Sequence, residues 1–249
     1  MKKLLLRADD LGYSEAVNYG IEKSIREGLI RSLGVMVNMP ATQHGVQLIQ
    51  DYDIALGVHV NICAERPLTD PSLIPSLVDE KGYFKSSKTY RTASEDFVVF
   101  EEVVIEIEAQ YHRFLELFGR KPDYFEGHAV ASVNFFKGLE YVAEKYGLKY
   151  SGIPINDSPL KIGQSLVEFN MESMNADYSP YEMLRNMAER TTDDVVQLGI
   201  FHPGYLDDYI LSNSSLTLPR TKEVEVLVDN RTREMLQKEG ITLIDYRQL

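Results

Sequence analysis

The chain has 249 residues, 44% of them hydrophobic and 26% charged, proportions of a folding globular domain and far from those of a disordered chain. Its formal net charge of −12 argues against a nucleic-acid partner, because binding a phosphate backbone needs clustered Lys and Arg. One cysteine, Cys63, excludes an intrachain disulfide and a thiolate metal cage, so any metal must be held by His and carboxylates.

The opening apolar run, Leu4-Leu5-Leu6, is far shorter than the core of a secretory signal, and acidic residues follow at once. Nothing further along approaches the roughly 18 apolar residues of a membrane span. The expectation is a cytoplasmic protein with no membrane segment. Short apolar runs then alternate with longer amphipathic ones, the pattern of repeated βα units. Strands are expected over residues 3–8, 32–37, 55–61, 124–128, 149–153, 195–202 and 241–246. That is about seven, one short of a closed barrel. The fold class expected is therefore a single-domain incomplete or distorted (β/α) barrel over residues 1–249, with mainly parallel strands.

Between the first two strands, Ser14 is placed to cap a helix through Val17, Ile21 and Ile25, and Gly28 to stop it. Longer helices are expected over residues 94–118, ended by Gly119, and over 136–146 and 220–238. Residues 64–92 carry Pro67, Pro71, Pro75 and Gly82 and read as a long inserted loop. Residues 156–190 are mixed, with a short helix at 181–188.

The residues able to do chemistry fall at the carboxyl ends of these strands, the catalytic face of such folds. Asp9 and Asp10 end the first strand before Gly12, which suits a division of labour between metal binding and proton acceptance; the plain alternative is a turn with solvated acids. Strand alternation puts His59 and Asn61 on one face, and Glu126 with His128 on another. Each His is either a ligand or a hydrogen-bonded structural residue, and Glu126 either orients a ligand or forms an ion pair. His202 closes an apolar strand before Pro203-Gly204, where an imidazole can act as acid or base or lie exposed in the loop. His44 and His112 fall on helices instead. Two His and one carboxylate with open positions form a catalytic zinc set, and harder divalent ions suit it too.

Arg7-Ala8-Asp9-Asp10-Leu11-Gly12, followed by Asn18 and Gly20, resembles the opening motif of the YdjC-like (ChbG-like) carbohydrate deacetylases. Gly57-Val58-His59-Val60-Asn61, Glu126-Gly127-His128 and His202-Pro203-Gly204 match later motifs of that family in order. The resemblance implies that Asp10, His59 and His128 hold one divalent ion, zinc or magnesium, that Asp9 is the base, and that His202 is the acid. It also implies an N-acetylated amino sugar as substrate and a homodimer, and Arg220 matches an Arg near the start of the family's last helix; with Asn61 and Glu126, placed by alternation beside the histidines, Arg220 is a candidate substrate contact. Where the family usually has Asp the chain has Glu126, and Val130 and Ser132 stand where it commonly has further histidines. Tyr83, Phe84 and Tyr90 in the long loop form either a wall for a sugar ring or part of a packed flap. Two competing readings are a metal-dependent phosphoesterase and a catalytically decayed sugar-binding or regulatory protein.

Overall fold

A computed structural model describes residues 2–154 and 158–249; Met1, at the start of the expected domain, and residues 155–157, of which 156–157 begin the mixed stretch, lie outside the described residues. The first half runs β1 (Lys3–Leu11), α1 (Glu15–Arg26), β2 (Ser32–Val35), α2 (Thr42–Ile49), β3 (Ala55–Val60), α3 (Ser87–Thr92), α4 (Phe100–Phe118) and β4 (Tyr124–Gly127). Then follow α5 (Val133–Tyr146), β5 (Lys149–Tyr150), β6 (Leu160–Ile162), β7 (Ser165–Asn170), α6 (Pro180–Arg190) and β8 (Val195–Phe201). The chain ends with α7 (Asp208–Asn213), α8 (Leu218–Val228), α9 (Asn230–Lys238) and β9 (Thr242–Ile244).

The strands form one sheet in the order β5-β4-β3-β2-β1-β8-β7-β6, curled into a nearly closed barrel with helices outside. One edge of β1 pairs with β8 over Leu4–Ala8, and the other is shared, Lys3 to Leu5 pairing with β9 and Arg7 to Leu11 with β2. Every pairing is parallel except the β6–β7 hairpin. All seven expected strands are present among the described residues. The hairpin is additional: β7 extends the parallel sheet from β8, but alternating half-exposed positions hide it from a search for the continuous apolar runs of buried parallel strands.

Helix boundaries follow from capping. Ser14 accepts from the Val17 N–H as expected, and Gly119 ends α4 in the left-handed conformation. The expected start of α4 at residue 94 is corrected to Phe100, because Asp96 bonds instead to Ser132 Oγ and the Asn134 N–H. The expected single helix over 220–238 is two, broken at Asp229, whose side chain accepts from the Arg231 N–H and caps α9. The long loop is not bare coil. Its end forms α3, and α4 pins the rest: Glu106 accepts from the Leu68 and Thr69 N–H groups and Glu102 from Ser76. Phe84 and Tyr90 are buried, Tyr90 donating to the Ile62 carbonyl, so these rings pack beneath the loop as a flap.

Candidate active site

In a regular strand, neighbouring side chains point to opposite faces, so Asp9 and Asp10 could not both serve one site. The register between β1 and β2 slips between Ala8 and Leu11, and Asp10 takes a left-handed φ of 77°. This bulge turns both carboxylates into the same cavity, at the cost of a conformation that non-glycine residues adopt rarely. Gly12, at φ 101°, completes the turn; its N–H donates to Asn18 Oδ1 at 2.7 Å. Asn18 is thus a turn anchor.

Asp10 Oδ1 lies 3.2 Å from His59 Nε2 and 3.1 Å from His128 Nδ1, and the two imidazole nitrogens are 2.8 Å apart. Donor atoms around a tetrahedral zinc ion stand about 3.3 Å from one another, so the three residues fit a single divalent ion after slight opening. Two further features agree. Asp10 Oδ1 is buried and accepts no hydrogen bond among the described residues. His59 Nδ1 lies 2.6 Å from the Glu126 carboxylate, which fixes the ring and leaves Nε2 facing Asp10.

A second grouping, Asp9 with His59 and Glu126, is already neutralised. Arg7 Nε and Nη2 each lie 2.8 Å from an Asp9 oxygen, and Nη2 is 3.6 Å from Glu126. Arg7 is held in turn by Tyr246 Oη at 2.9 Å and Ser151 Oγ at 3.2 Å. With His59 and His128 neutral, as imidazole ligands must be, three buried carboxylates would face only two buried guanidinium groups, Arg7 and Arg220, an imbalance that a bound cation would offset. Gly34 of β2 makes room for the cluster: a Cβ there would stand 2.6 Å from Glu126 Oε1 and 2.8 Å from Asp9 Oδ1.

Electrostatics separates the two aspartates. Burial opposes ionisation of Asp10, but Arg220 and the two histidines outweigh it and hold the carboxyl well below the usual range. Burial lifts Asp9 above that range, with Glu126 adding to it and Arg7 opposing. Burial also pushes His202 down to about 4, against the pull of Asp10 and Asp9, so its ring is neutral at rest near pH 7. Burial disfavours charge on His59 too, but Glu126 and Asp9 bring its imidazole well above the usual value.

Arg220 belongs to the framework of this site. Its Nη2 pairs with Asp10 Oδ2 at 2.7 Å, Nη1 donates to the His202 carbonyl at 3.3 Å, and Nε donates to the Leu216 carbonyl at 2.9 Å. Stripping one partner from such a buried pair costs about 3–5 kcal/mol. Asn61 is likewise engaged elsewhere: its Oδ1 accepts from Cys63 and Ala64, and its Nδ2 donates to Asn38 and the Ala64 carbonyl. Glu126, besides orienting His59, borders the cleft. His44 contacts Asn18 and Tyr19, and His112 packs on Tyr111 and Tyr146.

Above the acids opens a cleft of about 650 Å³, with Asp9, Asp10, His59, His128 and His202 among its lining and Val130, Ile153, Met171 and Leu216 on its apolar walls. The loop's contributions are Ser87 and Arg91 of α3, in place of its aromatic residues. Val130 occupies wall space, whereas Ser132 caps α5 through the Phe135 N–H. Arg7 and Glu223 escaped the sequence reading. Arg7 had a signal, since it lies two residues before Asp9 on the same strand face; Glu223 had only its place one turn after Arg220.

The fold and site define an α/β-barrel protein with a His–His–Asp group whose donor atoms could hold a metal ion, and with further titratable residues beside it, at the rim of its parallel strands. The model of the YdjC-like protein family matches residues 3–238, and the chain belongs to that family. It is 34% identical to carbohydrate deacetylase 2 of Listeria innocua serovar 6a, over 99% of this chain and 98% of the relative. It is 30% identical to the carbohydrate deacetylase of Clostridium beijerinckii, over 99% and 100% of the respective chains. Among solved structures, a putative cellobiose-phosphate cleavage protein of Enterococcus faecalis V583 superposes with a TM-score of 0.84 at 25% identity, covering 99% of this chain and 98% of that one.

Proposed function

We propose that the protein is a metal-dependent carbohydrate deacetylase that hydrolyses the acetamido group of an N-acetylated amino sugar or chitooligosaccharide. The observation that carries this reading is the triangle of Asp10, His59 and His128 donor atoms beside an Arg7-held carboxylate, Asp9, and the imidazole of His202. The relatives named carbohydrate deacetylase supply the substrate class.

Asp10, His59 and His128 hold one divalent ion, zinc or magnesium. When bound, the ion supplies Lewis acidity that lowers the pKa of water and steadies negative charge on a carbonyl oxygen. Asp9 takes the proton from the attacking water, and Arg7 fixes the direction from which it does so. His202, neutral at rest, takes up a proton from solvent as negative charge grows in the cleft and passes it to the departing amine, which is a poor leaving group until protonated; Asp9 returns the proton it took from water to solvent. The apolar walls exclude competing water and receive the less polar face of the saccharide.

The phosphoesterase alternative calls for a second metal, and the acids that would hold it are paired with Arg7. A homodimer is the form the family resemblance implies, and light scattering in solution tests it. The substrate reading is tested by acetate release from N-acetylglucosamine oligomers, with O-acetylated sugars and phosphate esters alongside. Release from the N-acetylated oligomers is expected; saccharide binding with no acetate released would overturn the reading in favour of a decayed, sugar-binding protein.

A further inference from the structure

A buried glutamate stands behind His202 that the chemistry above does not use. Glu223, on α8, is fully enclosed; its Oε2 accepts the His202 backbone N–H at 2.5 Å and its Oε1 lies 2.8 Å from Tyr178 Oη. One turn earlier, Arg220 donates to the carbonyl of the same residue at 3.3 Å, and its own carbonyl accepts the Gly204 N–H at 3.3 Å. Both polar groups of the His202 peptide are thus gripped by side chains three residues apart on one helix, which lie on one helical face.

The chain needs such a grip at this point. The strand β8 ends at Phe201 and Pro203 has no N–H, so the sheet ladder no longer fixes the backbone where His202 leaves it. A buried N–H also demands a partner. The imidazole gives no help, because its Nδ1 is buried without a hydrogen bond among the described residues. From the other side, α1 presses on the segment: Tyr205 donates to the Ala16 carbonyl at 3.1 Å, and a Cβ on Gly20 would come within 2.5 Å of Gly204 Cα. Among the described residues, the hydrogen bonds that place His202 are those of its backbone.

We propose that Glu223, acting with Arg220 through the His202 peptide, is a positioning residue that fixes the imidazole of the acid in the cleft wall; this rests on the reading of His202 as the acid. Tyr178 Oη donates to Glu223 Oε1 and the His202 N–H to Oε2, while burial pushes the carboxyl up to about 8. A glutamine can keep both contacts, its oxygen accepting from His202 and its amide nitrogen donating to Tyr178 Oη. Alanine makes neither.

The test uses the full-length, metal-loaded protein and the Glu223→Gln and Glu223→Ala variants, with Glu223→Met as a volume-matched substitute should the alanine variant fail to fold. The first readout needs no substrate: the His202 amide proton in ¹⁵N-edited NMR spectra. The second is kcat and KM for acetate release. Glu223→Gln is expected to keep the wild-type amide shift and a kcat within about threefold. Glu223→Ala or Met is expected to move that proton upfield and lower kcat about 10- to 100-fold with KM within about twofold, the signature of a misplaced catalytic group.

An unshifted His202 amide in the alanine or methionine variant would overturn the proposal. So would a glutamine variant as impaired as these, or a loss of metal affinity in step with kcat. If the wild-type protein releases no acetate, the deacetylase reading falls while the amide shift still decides the clamp.

Discussion

Two adjacent aspartates stand in different surroundings because one bulge turns both into the cavity and two arginines then separate them. Asp10 faces the histidines and Arg220, whereas Asp9 is held by Arg7. Asp9→Asn is therefore expected to lower kcat by about 10²- to 10⁴-fold while metal affinity stays within about tenfold. Asp10→Asn is expected to weaken metal binding by more than about 100-fold, since a ligand counts for more than an outer partner. Isothermal titration with zinc, beside acetate-release kinetics, separates the two; equal effects on both readouts in both variants would refute the division of roles. Glu223 sets a pH dependence of stability. Its folded value, about 8, lies above the ordinary 4.5, so the folded protein keeps a proton that the unfolded chain gives up between those values. The corresponding stability is full below about pH 4.5 and is lost as pH rises through about 8. Urea unfolding between pH 5 and 8.5 should show a smaller decline for Glu223→Gln than for the wild type.

The helices and strands show how far a sequence reveals its own site. His59, His128, His202, Asp9 and Asp10 were legible because each closes an apolar strand, and strand ends of a parallel barrel converge on one rim. What alternation does not give is the choice of partner across the sheet. Asn61 was placed on the His59 face, yet β3 ends at Val60, and beyond it the turn takes up the amide. Arg220 was expected at the substrate, and the break between α8 and α9 leaves it on a short helix whose first turn points at Asp10. Gly34 gave no signal because its contribution is the absence of a side chain. Gly34→Ala should fold, with its Cβ forcing Glu126 and Asp9 aside, and should lose at least about tenfold in metal affinity, the usual toll of disturbing outer partners. Unchanged affinity and activity in that variant would show that the cluster tolerates more slack than its distances suggest.

At the scale of the molecule, a nearly closed barrel gathers five chemical residues from β1, from the ends of β3, β4 and β8, and from the bulge between them. The parallel architecture was readable from alternating apolar and amphipathic runs. The β6–β7 hairpin was not, because edge strands half exposed to solvent lack that pattern. The acidic composition, with a net charge of −12, also suits the proposed binding of a cation and a neutral sugar. The central claim is that one ion held by Asp10, His59 and His128 makes the site a deacetylase. Its most direct test is acetate release from chitooligosaccharides by the protein as purified, after chelation, and after zinc or magnesium is returned. Release that disappears on chelation and comes back with one equivalent of metal is the predicted result; release that continues unchanged in the stripped protein would contradict it.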